Sequence, residues 1–232
     1  MPNILFKNIT DGQRNIENKI YTLAKNKGLS SEEIEPIPDG VGDIKAYCES
    51  SPRIMWILKE AYDNYVEDKP AGGEWNLYDE FDNENVWTIP TWQVIAYIVY
   101  GVRNEKHWTD MPWVSENTSM VKDLKSVAIL NMSKMPAYSS SPTDMTPQYE
   151  IWRSILFEQI ELYKPNIICF GGTFKYFKKD LGLSDSEPID GARVYKRKSQ
   201  LLLDLYHPQQ RTISRGDYVD NVIDCIAKWY NH

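Results

Sequence analysis

The chain has 232 residues, of which 42% are hydrophobic and 25% are charged, as in a globular protein with one large domain or two small ones. Its three cysteines lie far apart in the sequence, which argues against a disulfide framework, a structural zinc site and an iron–sulfur cluster. It has no apolar run of membrane-spanning length and no basic-then-apolar signal peptide, so we expect an intracellular, cytoplasmic protein.

Charge is distributed unevenly along the chain. The net charge of −7 argues mildly against a dedicated nucleic-acid-binding protein. Residues 122–215 nevertheless contain 14 basic and 10 acidic residues, whereas the remainder contains 12 basic and 23 acidic residues. This asymmetry is compatible with a phosphate-facing surface in the later part of the chain, although most charge runs form an ordinary solvated face.

The first 50 residues predict helices and contain no recognisable chemistry. Residues 11–27 have apolar side chains at helical spacing, and Gly28 follows as a stop signal. The pattern Ser30-x-x-Glu33 predicts the start of a short second helix, and a third is expected over residues 43–48. We therefore expect residues 1–50 to form a helical cap on a main domain of residues 51–232.

Four apolar runs predict the strands of one sheet: residues 53–58, 126–131, 166–172 and 201–207. Runs that are apolar throughout are typical of parallel strands covered on both faces. Helices are expected between and after these strands, over residues 90–101, 146–164 and 173–182 and from Gly216 onward. This order predicts an α/β fold, a three-layer α/β/α sandwich with a central, mostly parallel four-stranded sheet and an N-terminal helical cap.

Each predicted strand is followed by residues that suit a binding site. The last strand delivers His207 at its tip and must end at Pro208, which cannot donate within the ladder. Residues 60–63 follow the first strand, Asn131 ends the second, and Gly171-Gly172 ends the third. Because ligands bind at the carboxyl ends of strands in open α/β sheets, we expect these residues to share one hollow. The aromatic-rich stretch 64–90 is expected to be a functional loop.

This set of motifs, over roughly residues 53–225, resembles the uracil-DNA glycosylase superfamily. The segment Leu58-Lys59-Glu60-Ala61 is similar, at Glu60 and Ala61, to the Gly-Glu-Ala-Pro-Gly motif of the iron–sulfur branch. The segment from Ile129 to Lys134 resembles the one in which an asparagine reads the uracil edge. The segment from Lys164 to Gly172 resembles the family's third strand, and His207-Pro208 corresponds to its closing motif.

The sequence also departs from that family. Lys59 and Tyr62 occupy the places of the small Gly and Pro that let the backbone approach the base. Gln209-Gln210 replaces the Ser-Pro that follows the histidine in many members, and the cluster-binding cysteines are absent. The resemblance therefore implies a divergent relative that uses no metal and no cofactor.

The resemblance implies hydrolysis of the N-glycosidic bond of uracil or a related damaged base, taken out of the DNA stack. His207 is expected to donate a hydrogen bond to the negative charge that develops on the base. Asn131 is expected to bind the pyrimidine edge, although an amide that caps the next turn is an equal alternative. Either Glu60 or Asp63 is expected to orient the water or to face the sugar cation.

The resemblance also implies contacts to the base face and to the DNA backbone. Trp87 is the first choice for stacking on the base, and Tyr62 is the second. Phosphate contacts are expected from Ser139, Ser140, Lys175, Arg211 and Arg215. The expected partner is DNA, bound by a monomer without a metal or a membrane.

Two alternatives stay open from the sequence. The first is a non-catalytic nucleic-acid or nucleotide-binding module on the same fold, which Lys59, Tyr62 and the acidic net charge favour. The second is an unrelated α/β hydrolase or transferase that acts on a small nucleoside. The sequence has no Gly-x-Ser-x-Gly elbow, so it gives no support to a serine hydrolase.

Overall fold

A computed structural model describes residues 2–31, 34–63, 65–66, 69–70, 75–137, 142–183, 187–189 and 192–230. Its helices are α1 (Pro2–Asn26), α2 (Ile44–Glu49), α3 (Pro90–Asn104), α4 (Ser119–Lys122), α5 (Thr146–Tyr163), α6 (Phe174–Leu181) and α7 (Arg215–Tyr230). Short 3₁₀ turns lie at Glu80–Asp82, Val86–Thr88, Trp108–Asp110 and Asp123–Ser126. Of the helices described, none is both long and apolar enough to cross a membrane.

The strands are β1 (Ile54–Leu58), β2 (Tyr65–Val66), β3 (Lys69–Pro70), β4 (Ala128–Asn131), β5 (Ile167–Gly171), β6 (Glu187–Ile189), β7 (Ala192–Arg197) and β8 (Gln200–Leu205). The central sheet has the order β4-β1-β5-β8-β7-β6, and β2 and β3 form a separate antiparallel pair. Strands β4, β1, β5 and β8 are parallel, which confirms the four predicted strands.

The prediction of a four-stranded sheet is wrong, because β7 and β6 extend the sheet beyond β8 as antiparallel strands. Along β7, Ala192 and Val194 are buried whereas Arg193 and Lys196 are exposed. Because successive side chains alternate between faces, Arg193 and Lys196 lie on opposite faces of β7, so exposed basic residues interrupt the buried ones on both faces. The basic side chains of this segment therefore conceal its strand character in a search for apolar runs.

Alternate residues of the parallel strands supply two cores, one on each face of the sheet. Ile54, Trp56 and Leu58 pack with residues of α3 and α7. Met55 and Ile57, the intervening residues of β1, pack with residues of α1, α5 and α6. Because successive side chains of a strand point to opposite faces, continuous apolar runs are needed to fill both cores. This arrangement confirms the α/β/α sandwich.

The N-terminal region is built differently from the prediction. A single helix, α1, begins well before residue 11, and its Ile9, Ile16 and Ile20 are buried in the core that also contains residues of α5. The short helix predicted after Ser30 is wrong where the chain is described, because residues 34–39 have no regular structure. Helix α2 is confirmed, and the Asp43 carboxylate caps it by accepting from the Ala46 N–H at 2.9 Å.

The predicted helix ends are correct for α5 and α6 but not for α3. Lys164 and Gly182 adopt left-handed conformations and end α5 and α6. Gly101, predicted to follow α3, lies inside it. A Cβ atom at Gly101 would stand 2.3 Å from Ile223 Cδ1 and 2.7 Å from the Lys106 carbonyl oxygen. This glycine therefore allows α7 and the next loop to approach α3 closely, and it is not a helix stop signal.

Candidate functional site

The carboxyl ends of the parallel strands surround a pocket of about 500 Å³. Strand β1 leads into it through residues 58–62, β4 through Asn131 and β8 through His207. In the sheet, β4 lies on one side of β1 and β5 lies on the other. The strand order therefore reverses direction between β1 and β5, and these two strands flank a topological switch point. The residues that line this pocket include Lys59, Glu60, Tyr62, Trp75, Glu80, Trp92, Asn131, His207 and Gln209.

Gly171 lets the ends of β1, β5 and β8 approach one another. A Cβ atom at this position would stand 2.8 Å from Leu58 Cδ2 and 3.3 Å from Pro208 Cδ. Gly172 has a φ of +76° and turns the chain toward α6. The two glycines therefore serve close packing beneath the pocket, and neither contributes a side chain to it.

His207 is held as a neutral imidazole with a defined donor. Burial, followed by the positive charge of Lys59, lowers its pKa from 6.5 to about 4. The Gln209 backbone N–H donates to His207 Nδ1 at 3.2 Å, so Nδ1 acts as the acceptor. In a neutral imidazole the other nitrogen then carries the proton, which makes Nε2–H the donor available in the pocket.

Asn131 ends β4 in a buried polar network. Its backbone N–H donates to Asp39 Oδ2 at 2.6 Å, and the residue is 3% exposed. Lys134 Nζ donates to both Asp39 carboxylate oxygens at 2.7 Å and to Gln159 Oε1 at 2.9 Å. Gln159 Nε2 in turn donates to Asp39 Oδ1 at 2.7 Å. This network fixes the backbone of Asn131, which lines the pocket.

The turn after β1 is fixed by the segment that follows β4. The backbone N–H groups of Met132, Ser133 and Ala137 donate to the carbonyl oxygens of residues 58, 59 and 61 at 2.8–2.9 Å. Glu60 and Tyr62 line the pocket, and Tyr62 is 53% exposed. Asp63 lies one residue farther on, where its N–H donates to the Ala137 carbonyl, and it is not a lining residue. Of the two predicted acids, Glu60 is the one at the pocket.

The aromatic wall of the pocket differs from the prediction. Trp75 and Trp92 line it, whereas Trp87 packs against the apolar core and is not a lining residue. Trp87 lies in the 3₁₀ turn before α3, and its carbonyl oxygen accepts from Gln93 Nε2 at 3.0 Å. The first choice for base stacking, Trp87, is therefore not at this pocket, whereas the second choice, Tyr62, lines it. Trp75 and Trp87 both fall in the aromatic-rich stretch 64–90, where sequence spacing gives no means of distinguishing them.

Two ionisable residues at the pocket had no predicted role. Glu80 enters it from a 3₁₀ turn of the aromatic-rich loop, and burial raises the pKa of its carboxyl. Lys59 follows β1 directly and lowers the pKa of His207 by its charge. The position of Lys59 beside a strand end is a sequence signal, whereas Glu80 stands in a segment without periodicity.

The predicted phosphate contacts fall in different places. Arg211 and Arg215 line a second cavity of about 240 Å³, which shares Gln209 with the first. Arg215 Nη1 also donates to Gln93 Oε1 at 3.1 Å. Lys175 lies on α6 with its Nζ 4.8 Å from the Tyr176 ring centroid, and it lines neither cavity. Ser139 and Ser140 are outside the described residues.

Within the described part of the chain, no group of three or more His, Cys, Asp or Glu side chains is arranged to hold a metal ion. The residues that line the pocket supply one neutral imidazole, the amides of Asn131 and Gln209, the carboxyl groups of Glu60 and Glu80 and the amino group of Lys59. No protein-family model matches the sequence, and no curated protein matches it significantly.

Proposed function

We propose that this protein is a DNA N-glycosylase that hydrolyses the bond between deoxyribose and uracil or a related damaged base. The observation that carries the proposal is the meeting of His207, Asn131 and Glu60 in one pocket at the carboxyl edge of the sheet. These three residues are those that the resemblance to uracil-DNA glycosylases assigns to donor, base-reading and water-orienting roles. The pocket volume of about 500 Å³ is in the range of small-molecule sites.

Cleavage of the glycosidic bond leaves negative charge on the base and positive charge on the sugar. The Nε2–H of neutral His207 is suited to donate to the base oxygen on which the negative charge develops. A donor that is already oriented before the reaction stabilises this charge without reorganisation. The low pKa of His207 keeps it in this form at neutral pH.

Other residues of the pocket are assigned to base binding, to water orientation and to stacking. The Asn131 amide offers both a donor and an acceptor, as a pyrimidine edge requires. Glu60 is placed to orient the attacking water or to stabilise the sugar cation, and Asp63 would act from just beyond the pocket. Tyr62, Trp75 and Trp92 supply ring faces for stacking on a base.

The neighbouring cavity supports DNA as the substrate. It lies next to the first pocket and is lined by Arg211 and Arg215, so a phosphate that flanks the extruded base would meet two guanidinium groups there. A free nucleoside has no phosphate to place in that cavity. This neighbourhood favours nucleic acid over the small-nucleoside alternative.

One observation favours a second candidate function, a binding module without catalysis. Lys59 lines the pocket and its charge acts on His207, so this charge favours an anion and opposes a cationic sugar. A module of this kind would use the same pocket to bind a base with its phosphate and would release no product.

The test uses single-stranded and double-stranded oligonucleotides that carry one uracil, followed by hot alkali to cut any abasic site. We expect strand scission with the native protein and a loss of about 10²–10³-fold in rate for His207→Ala and for Asn131→Ala. His107→Ala is the matched control, because His107 lies outside the pocket and pairs with Asp224 at the surface. Salt-sensitive binding without scission would replace this proposal with the binding module.

A further inference from the structure

A second cluster of aromatic residues is formed by Tyr97 of α3 and by the loop between α3 and α4. It lines a cavity of about 280 Å³ together with Thr109, and none of its residues lines the pocket described above. The members of this aromatic cluster are Tyr97, Trp108, Met111 and Trp113.

The rings of the cluster stand at steep angles to one another. Trp108 and Trp113 have centroids 5.8 Å apart and planes at 85°, and Tyr97 and Trp108 have centroids 4.5 Å apart at 57°. Two tryptophan rings at right angles form two walls of a corner, which the Met111 side chain and Tyr97 continue. A small group in this cavity would lie among three aromatic rings and a thioether.

The loop holds these walls in place through backbone hydrogen bonds. The Trp108 N–H donates to Asp220 Oδ1 at 2.7 Å, and the Val114 N–H donates to the Tyr97 hydroxyl at 2.9 Å. The Glu116 and Asn117 N–H groups both donate to the Trp113 carbonyl oxygen. Trp113 is nevertheless 58% exposed, the only tryptophan among the large hydrophobic side chains that the structure shows as exposed. An exposed indole on a fixed loop is a preorganised contact surface.

The charges around the cluster favour a cation. Residues 105–116 contain three acidic side chains and one lysine. Asp220 contacts the backbone of Trp108, and Asp224 pairs with His107, the residue before it. The side chains that line the cavity carry no formal charge, and Thr109 is the one polar member. The surroundings therefore attract positive charge, while the cavity itself has no carboxylate to bind the N–H groups of a primary ammonium.

We propose that the aromatic cluster is a cage for a methylated or quaternary ammonium group. The faces of tryptophan and tyrosine rings attract a cation within about 6 Å of the ring centroid, and tryptophan does so most strongly. Methyl groups replace the N–H donors that the cavity could not satisfy, and the Met111 thioether adds a polarisable contact. This site is independent of the proposed glycosylase activity.

The first test compares choline with 3,3-dimethylbutan-1-ol, which has the same shape but no charge, by tryptophan fluorescence and by NMR titration of the indole N–H signals. We expect saturable binding of choline and roughly tenfold weaker binding of the neutral alcohol. Equal affinity for the two compounds would overturn the proposal, because it would show an apolar hollow that does not distinguish charge. Absence of saturation by choline and by tetramethylammonium chloride would overturn it as well.

The second test uses variants of an exposed wall, so that the fold is retained. We expect Trp113→Leu to abolish choline binding and Trp113→Phe to weaken it less, whereas Phe6→Leu, at another exposed aromatic on α1, leaves binding unchanged. Nα-acetyl-trimethyllysine and choline, titrated side by side, distinguish a modified protein side chain from a free quaternary amine as the source. Native affinity in Trp113→Leu would refute the cage.

Discussion

At the scale of single residues, His207 shows how one side chain acquires a defined state from its surroundings. Burial and the nearby Lys59 charge both disfavour the imidazolium form, so its pKa falls to about 4. The Gln209 N–H then selects the tautomer by occupying Nδ1. His107 shows the opposite outcome, because a hydrogen bond to Asp224 at the surface raises its pKa.

The lowered pKa of His207 predicts an acid-sensitive contribution to stability. An unfolded histidine titrates near pH 6.5, so between pH 6.5 and about 4 the unfolded state binds more protons than the folded state. The free energy of unfolding should therefore fall as pH is lowered through this window, by about 2 kcal/mol after allowance for solvent screening. Urea denaturation between pH 4 and pH 7 measures it.

The comparison variant for this prediction is His207→Gln, which cannot titrate and should lose less stability over the same pH range. His107→Gln should alter the pH dependence in the opposite sense, because the raised pKa of His107 favours its charged form in the folded state. Identical pH profiles for the native protein and His207→Gln would contradict the prediction.

At the scale of elements, the end of β4 depends on a buried ion pair. Lys134 and Asp39 both have fully buried side chains, and together with Gln159 they join the segment before α2, the end of β4 and the middle of α5. Burial lowers the pKa of Lys134, and the charge of Asp39 and its hydrogen bonds to Lys134 oppose this effect. The pair therefore holds three segments together around Asn131. Each buried charge is stabilised by the opposite charge of its partner.

Removal of one residue of the Asp39–Lys134 ion pair should lower the free energy of unfolding more than removal of both. Asp39→Ala leaves a buried ammonium group without its carboxylate, and we expect a loss of about 3–5 kcal/mol in the free energy of unfolding. The double variant Asp39→Ala/Lys134→Met replaces both charges with apolar groups, so its loss should be smaller. Chemical denaturation of the two variants tests this, and an equal or larger loss in the double variant would show that the ion pair is not the source of the effect.

At the scale of the whole molecule, the net charge opposes the binding of DNA, whereas the topology places two arginines in a cavity beside the pocket. The chain carries a net charge of −7, which repels a polyanion at long range. Arg211 and Arg215 nevertheless line a cavity next to the pocket. They are four residues apart in the sequence, and the turn that leads into α7 brings them to the same cavity. A local basic cavity on an acidic protein predicts weak non-specific binding and a small number of phosphate contacts.

Salt dependence measures that number. We expect Arg211→Ala/Arg215→Ala to weaken binding of a uracil-containing oligonucleotide and to reduce the slope of log K against log salt by about 1.5, since each phosphate contact contributes about 0.7–0.9. Lys179→Ala/Lys196→Ala is the matched double variant, because both lysines are exposed and lie toward the amino ends of the parallel strands, away from the pocket. The same change of slope in both double variants would show that the arginine cavity is not a specific phosphate site.

Much of the architecture follows from local patterns. A parallel strand that is covered on both faces must be apolar at every position, so β1, β4, β5 and β8 are visible as continuous runs. The residues that end those runs must lie at the carboxyl edge, so the sequence alone predicts that Asn131 and His207 share one hollow, and both line the pocket. Strand β7 is not visible as such a run, because the exposed Arg193 and Lys196 interrupt its buried residues.

The sequence by itself thus determined the parallel core and the polar tips of its strands, because those features depend on residues that are neighbours along the chain. Tertiary structure alone decided that Trp75, Trp92 and Glu80 line the pocket in place of Trp87, and that Trp108 and Trp113 meet at a right angle. Trp75, Glu80, Trp108 and Trp113 stand on loops and 3₁₀ turns, where spacing has no period, and Trp92 stands on α3, whose helical period does not indicate which buried residues border a pocket. Their positions are set by packing against elements distant in sequence, and no local pattern records such contacts.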